Sequence, residues 1–206
     1  MGLGGCALVG SEKPWFGPQD ARSAPKLRQG FWVSALDDGC RVRADRPVRF
    51  WSECAILLVR DGEYLGLGYD KRWAWGPMAM LLAGRDPMIV QLPEDGEKPG
   101  YGYAAAEPVG FDAEGRVTAL NLWLLTCQDQ AWVTTIDEYG RPLVTEGPFR
   151  PDVVAGKEGS SIACTVESRE ALIALARALK PSGAEDTMAW RWIREPRPDD
   201  FAQVRP

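Results

Sequence analysis

Short apolar runs separated by turn-forming residues restrict the fold of this chain more than any other feature. The first clear pair is Ala55–Arg60 and residues 64–69, which flank Asp61-Gly62. An Asp-Gly dipeptide between two such runs is the strongest short-range signal for a β-hairpin. Two more pairs flank longer turns, and they are residues 101–109 with 116–125 and residues 131–136 with 142–145. Three hairpins in succession predict an antiparallel meander, closed as a barrel or stacked as a sandwich.

One amphipathic helix is predicted near the C-terminal end, over about residues 168–180. Ser168 is a good N-cap, and apolar residues recur at helical spacing from Leu172 to Leu179 before Pro181 ends the pattern. The other apolar runs fit strands at residues 29–35, 88–92 and 188–194, and a short helix or a buried strand at residues 78–83. The sequence therefore predicts a mainly β fold with one helix.

Composition divides the chain into three parts. Residues 1–27 are punctuated by Gly and Pro without periodicity, which predicts a flexible tether. Residues 28–195 carry the apolar runs and are expected to form a single β-rich domain. Residues 196–206 are rich in Pro and Asp, which predicts a frayed tail.

The composition also excludes several classes of function. The chain has no histidine, which excludes Ser-His-Asp triads, Cys-His dyads and histidine metal sites. Its net charge is −5, with 24 basic residues interleaved among 29 acidic ones, so it lacks the basic stripe of a nucleic-acid binder. Nucleotide-binding motifs are missing as well. No catalytic residue, cofactor or metal site is predicted, and binding is favoured over catalysis.

The N-terminal residues Leu3-Gly4-Gly5-Cys6 resemble the lipobox of bacterial lipoproteins, in which a branched apolar residue and two small residues precede an acylated cysteine. The resemblance implies that Cys6 carries a diacylglyceryl group and becomes the mature N-terminus. It also implies a protein of the bacterial cell envelope that is attached to the membrane by its lipid. Ala7 after the cysteine implies the outer membrane, facing the periplasm.

The four remaining cysteines are Cys40, Cys54, Cys127 and Cys164. An even number suits an oxidising compartment, in which disulfides persist. Four cysteines allow three pairings, and pairing the neighbours in sequence joins Cys40 to Cys54 and Cys127 to Cys164. The alternative is four buried free thiols. We expect at least one disulfide.

Two regions are candidates for binding. Gly30-Phe31-Trp32 resembles the G-x-W signature of lipocalins, which implies a barrel closed by Trp32 and a cavity for one small apolar ligand. The alternative for Trp32 is a ring buried in any sheet. The second region is an aromatic and basic stretch whose rings either bind a partner or close one end of the sheet, and its aromatic residues are Tyr69, Trp73 and Trp75.

The predicted function is that of a lipid-anchored envelope protein with a binding or scaffolding role. Its partner would be a small apolar or glycan ligand or another envelope protein. One alternative is a soluble β-barrel carrier of a small apolar ligand. The other is a histidine-free enzyme that uses carboxylates to act on envelope glycans.

Overall fold

A computed structural model describes most of the chain. The described residues are 9–34, 40–51, 54–67, 75–94, 100–126, 133–136, 142–144, 149–156, 159–166, 168–183 and 187–201. The strands are β1 (Val9–Ser11), β2 (Gly30–Ser34), β3 (Ala55–Arg60), β4 (Glu63–Leu67), β5 (Trp75–Pro77), β6 (Leu81–Ala83), β7 (Met88–Glu94), β8 (Gly100–Phe111), β9 (Val117–Leu124), β10 (Val133–Ile136), β11 (Pro142–Val144), β12 (Phe149–Gly156), β13 (Gly159–Val166) and β14 (Met188–Arg194). The α-helices are α1 (Pro18–Ala21) and α2 (Arg169–Ala178), and 3-10 helices span Val48–Phe50 and Pro198–Asp200. The prediction of a mainly β fold is confirmed.

The chain forms two compact units, and three separate stretches of sequence contribute to each. The first unit contains the described residues of Met1–Ala24, Leu81–Ala105 and Trp123–Lys180. The second unit contains the described residues of Pro25–Met80, Ala106–Leu122 and Pro181–Pro206. Strands β8 and β9 are long enough to supply residues to both units.

In the first unit, the short strand β1 is paired on both sides. It runs parallel to β13, with Val9 opposite Cys164, and antiparallel to β8, with Gly10 opposite Gly102. Strand β13 forms a hairpin with β12, β7 pairs with both β6 and β8, and β10 pairs with β11. The core of this unit contains Val9, Phe16, Ala83, Ile89, Tyr103, Ala105, Trp123, Leu125, Leu172, Leu175 and Ala176.

In the second unit, six strands pair in the order β9-β14-β2-β3-β4-β5, and every pair is antiparallel. Strand β14 is central because Trp190 lies opposite Leu120 of β9 on one side and opposite Ser34 of β2 on the other. The core of this unit contains Phe31, Val33, Val48, Trp51, Cys54, Ile56 and Leu58.

The hairpin around Asp61-Gly62 has the geometry that its sequence predicts. Arg60 and Glu63 lie opposite each other across the two-residue turn. Asp61 and Gly62 have φ angles of 52° and 84°, which are the left-handed values that a type I′ turn requires. The two other predicted hairpins are also formed, as β8 with β9 and β10 with β11.

Helix α2 confirms the predicted helix. The hydroxyl of its N-cap, Ser168, accepts a hydrogen bond from the N–H of Ala171 at 3.1 Å, which satisfies one of the free donors of the first turn. Leu172 and Leu175 are buried in the core of the first unit, as their helical spacing predicts. Among the described residues, no helix is long and apolar enough to cross a bilayer.

Residues 9–27 differ from the expected flexible tether. Besides the pairing of β1, the side chain of Gln91 brackets Phe16, accepting from its N–H at 3.0 Å and donating to its carbonyl at 3.1 Å. Phe16 and Leu27 are both buried. Single apolar residues among Gly and Pro give no periodic pattern, so the sequence does not reveal that this stretch packs.

Other elements also depart from or refine the expectations. A short helix and a buried strand were both compatible with the sequence of residues 78–83. The second half of this stretch, Leu81–Ala83, is a strand. The hairpin of β12 and β13 was not predicted. The predicted strands at residues 29–35, 88–92 and 188–194 are found as β2, β7 and β14.

Candidate functional site

Four aromatic rings of the second unit form a cluster that runs from the core to the surface. The ring of Phe31 lies 5.8 Å from that of Trp51, 5.5 Å from that of Trp75 and 6.4 Å from that of Phe201. Phe31 and Trp51 are fully buried, Trp75 is half-buried and Phe201 is 42% exposed. We call these four residues the aromatic cluster.

A buried ion pair lies beside the aromatic cluster. The guanidinium of Arg194 donates to Asp200 through both terminal nitrogens, to Oδ2 at 2.7 Å and to Oδ1 at 2.6 Å. Its carbon lies 5.3 Å from the ring of Phe31 and 5.2 Å from that of Trp51, within the range of cation–π attraction. A bidentate pair of this kind fixes orientation as well as charge.

The pKa of Asp200 lies below its ordinary value of 3.8. Burial acts to raise the pKa, but hydrogen bonds to the carboxylate outweigh it. Their donors are the Arg194 side chain and the backbone N–H groups of Arg197, at 2.7 Å, and Val48, at 2.9 Å. Asp200 is therefore ionised at neutral pH, and its charge is fully paired.

The loop before β3 is held to the C-terminal segment through its backbone carbonyls. Arg197 donates to the carbonyl of Ala44 at 3.0 Å and to that of Asp45 at 3.3 Å. Arg194 donates to the carbonyl of Arg46 at 3.1 Å, and within the loop Trp51 Nε1 donates to the carbonyl of Arg43 at 2.7 Å. The Cys40–Cys54 disulfide joins the two ends of this loop. One of the expected disulfides is thus present.

Two phenylalanines are exposed where these segments meet. Phe50 is 54% exposed and ends the 3-10 helix Val48–Phe50, while Phe201 follows the 3-10 helix Pro198–Asp200. The bonds of Val48 to Asp200 and of Arg49 to the Asp199 carbonyl, at 3.1 Å, hold the two short helices side by side. Phe50 and Phe201 thus stand at the ends of two short helices that are bonded to each other, and we call these two residues the phenylalanine face.

The predicted site residues fall in different places. Trp75 belongs to the aromatic cluster, packed on Phe31. Trp32 is 1% exposed, and its Nε1 donates to the carbonyl of Arg28 at 2.9 Å. Cys164 lies in β13. The predicted residues that lie outside the described part of the chain are Cys6, Tyr69, Trp73 and Cys127.

The structure brings forward residues that the sequence did not mark as a site. Arg194, Asp200 and Phe201 fall at the end of the last strand and in the segment expected to fray. The described part of that segment, up to Phe201, is instead held by the buried carboxylate of Asp200. The only sequence signal for it is the Asp199-Asp200 pair after Pro198, because Pro and Asp favour the first turn of a helix.

A buried network of polar groups in the first unit serves to hold the N-terminal segment. The N–H of Trp15 donates to the Tyr103 hydroxyl at 3.2 Å, and that hydroxyl lies 2.6 Å from Ser11 Oγ. Ser11 in turn donates to the carbonyl of Lys13 at 2.6 Å. Burial raises the pKa of Tyr103, so this phenol stays neutral at physiological pH. The two hydroxyls of this network are bonded to each other and to the backbone, which fits a structural role.

Among the described residues, no group of three or more Cys, Asp or Glu side chains is placed to hold a metal ion. The aromatic cluster and the phenylalanine face are the candidate site, because both bring aromatic rings together with an arginine side chain. Comparisons with protein-family models, with curated proteins and with solved structures find no match to this chain.

Proposed function

We propose that this chain is a lipid-anchored protein of the bacterial cell envelope that holds a partner at the phenylalanine face. Cys6 carries the lipid, and the folded units stand in the periplasm. The observation that supports this best is the Cys40–Cys54 disulfide, because disulfides persist in oxidising compartments and are rare in the cytosol. The resemblance of Leu3-Gly4-Gly5-Cys6 to a lipobox supports the same placement, because lipoboxes belong to exported lipoproteins.

The phenylalanine face has the properties of a partner-binding surface. Phe50 and Phe201 expose large apolar rings, and the guanidinium of Arg49 lies 5.0 Å from the Phe50 ring. Aromatic residues and Arg are enriched at protein interfaces, where a few of them account for most of the binding energy. The Arg194–Asp200 ion pair and the bond from Val48 to Asp200 hold the two short helices in place, which lowers the entropy lost on binding.

The anchor is tested by mass spectrometry of the native protein. We expect the mature chain to start at Cys6 and to carry the mass of a diacylglyceryl group and an N-acyl chain. The Cys6→Ser variant should leave the membrane fraction, because the chain then lacks the acylated thiol. An unmodified Cys6 in membrane-associated protein would contradict the proposal.

The binding face is tested by photo-crosslinking in intact cells. A benzoylphenylalanine placed at position 50 should yield one discrete adduct, whereas the same residue at position 111 should not. Phe111 is the matched control because it is an equally exposed phenylalanine of the second unit, at 57%, on the β8–β9 hairpin. Equal labelling from both positions would show that the phenylalanine face has no specific partner.

A further inference from the structure

Met78 is the most exposed methionine among the described residues. Its side chain is 40% exposed, whereas Met80 and Met188 are half-buried and Met88 is fully buried. A thioether becomes a sulfoxide when its sulfur attacks an oxidant directly, so the reaction is fastest where the oxidant can reach the sulfur. Exposure therefore makes Met78 the methionine of this group that an oxidant reaches most easily.

The backbone of Met78 extends the pairing between β4 and β5. Strand β5 has only three residues, and all of them pair with β4. Just beyond them, the N–H of Met78 donates to the carbonyl of Tyr64 in β4 at 2.8 Å. Among the described strands, β5 has no second partner. This edge strand therefore depends on few contacts, and the bond from Met78 to Tyr64 is one of them.

The side chain of Met78 lies across Gly66 of β4. A Cβ atom added at Gly66 would lie 2.8 Å from Sδ of Met78 and 3.0 Å from its Cγ, so the thioether occupies space that the glycine leaves free. Gly66 lies opposite Gly76 of β5, and residues directly opposite each other point to the same face of a sheet. On that face β5 contributes only Gly76, which has no side chain. The Met78 thioether thus covers a position that β5 itself leaves bare.

The opposite face of β5 belongs to the aromatic cluster. Trp75 is the first residue of β5, and alternation along the strand places its side chain on the face opposite Gly76. Its ring lies 5.5 Å from that of Phe31. A change that loosens β5 from β4 will therefore also reach the aromatic cluster through Trp75.

We propose that Met78 is an oxidation site through which peroxide loosens strand β5 from β4. A lone pair of Sδ attacks one oxygen of hydrogen peroxide, the O–O bond breaks, and the products are a sulfoxide and water. The sulfur loses two electrons, and the peroxide gains them. The sulfoxide is polar, so it favours water over the apolar contact with Gly66. Strand β5 then loses that contact, and its pairing with β4 opens more often.

The test compares the purified protein with its Met78→Leu variant, both treated with hydrogen peroxide. Leucine keeps an apolar side chain of similar volume and is not oxidised, and the variant retains every other methionine and cysteine. Peptide mass spectrometry follows the oxidation of each methionine. Amide hydrogen exchange, resolved to single residues by NMR, follows the N–H of residue 78.

We expect Met78 to be oxidised at least about tenfold faster than the buried Met88. Oxidation of the wild type should accelerate exchange of the residue 78 amide by at least about fivefold, and the same dose should leave exchange in Met78→Leu unchanged. Oxidation of Met78 no faster than that of Met88 would overturn the inference. Unchanged exchange after Met78 is oxidised, or an equal acceleration in the variant, would overturn it as well.

Discussion

Among the described glycines, Gly30 is the one at which an added Cβ atom would meet the closest neighbour. Its φ angle is 128°, and a Cβ atom at this position would lie 2.5 Å from the carbonyl oxygen of Arg194 and 2.6 Å from Trp192 Nε1. The first of these atoms is backbone of the neighbouring strand β14 and cannot move aside alone. The glycine of the G-x-W motif is thus explained by strand packing within this chain.

Gly62 offers a matched comparison with Gly30. It also has a positive φ angle, 84°, but a Cβ atom added there would have no neighbour within 4 Å. We expect Gly62→Ala to lower the free energy of unfolding by about 1 kcal/mol, from backbone strain alone. Gly30→Ala should lower it by about 3 kcal/mol or more, because steric overlap is added to strain. Urea denaturation measures both, and equal effects would refute the packing argument.

Asp200 is expected to contribute strongly to stability because its side chain is fully buried against Arg194. Asp200→Asn leaves the guanidinium buried without its counter-charge, and such a loss costs about 3–5 kcal/mol. Urea denaturation at pH 7 measures the cost. As a control, Asp45→Asn removes a carboxylate that is 80% exposed and lies 3.7 Å from Arg46, and it should change stability by less than about 1 kcal/mol.

The same pair predicts a dependence of stability on pH. The folded-state pKa of Asp200 is below 3.8, so the stabilisation is complete above the unfolded-state pKa and is lost as the pH falls through the folded-state value. The difference in unfolding free energy between the wild type and Asp200→Asn should therefore be constant from about pH 5 to 7 and should shrink below about pH 4. A difference that grows on acidification would contradict this assignment.

At the scale of elements, the Cys40–Cys54 disulfide determines how firmly the loop before β3 is held. The two cysteines are 14 residues apart, and closing a loop of that size stabilises a fold by about 3 kcal/mol in the chain-entropy model. The double variant Cys40→Ser/Cys54→Ser should lose about this amount in urea denaturation. A reducing agent should destabilise the wild type by a similar amount and leave the variant unchanged. An unchanged wild type would show that the bond contributes little.

Elements whose signal lies in residues adjacent in sequence can be predicted from the sequence. The Asp61-Gly62 turn fixes its hairpin because both residues accept left-handed φ angles, and Ser168 marks the start of α2 by capping it. The β12–β13 hairpin escaped prediction because Gly156 and Gly159 enclose a charged pair that no common two-residue turn motif contains. Strand β1 escaped because three residues carry no periodicity, and its two partners are distant in sequence.

The candidate site is predictable from the sequence only in part, because its residues meet through contacts that are distant in sequence. Trp75 was marked by its aromatic surroundings in sequence and does join the aromatic cluster. The bond from Val48 to Asp200 joins residues 152 positions apart, and no local pattern signals such a contact. The phenylalanine face depends on that contact, so neither Phe50 nor Phe201 could be identified from the sequence.

At the scale of the whole molecule, the order of strands predicts how truncation will act. Strand β14 lies between β9 and β2, and its last residue carries the ion pair with Asp200. A chain that ends at Lys180 should lose protection from amide hydrogen exchange throughout β2 and β3, because β2 then lacks one of its two partner strands. A chain that ends at Phe201 keeps these contacts and should retain that protection. Native-like exchange in the shorter chain would contradict the strand order.

The position of β14 also has a consequence for biosynthesis. A ribosome makes β14 after both of its partners, so β2 and β9 emerge before the element that joins them exists. Until β14 has emerged, the second unit cannot complete its sheet. The strand order therefore prevents the sheet of the second unit from closing during synthesis until the last-made of its six strands is available.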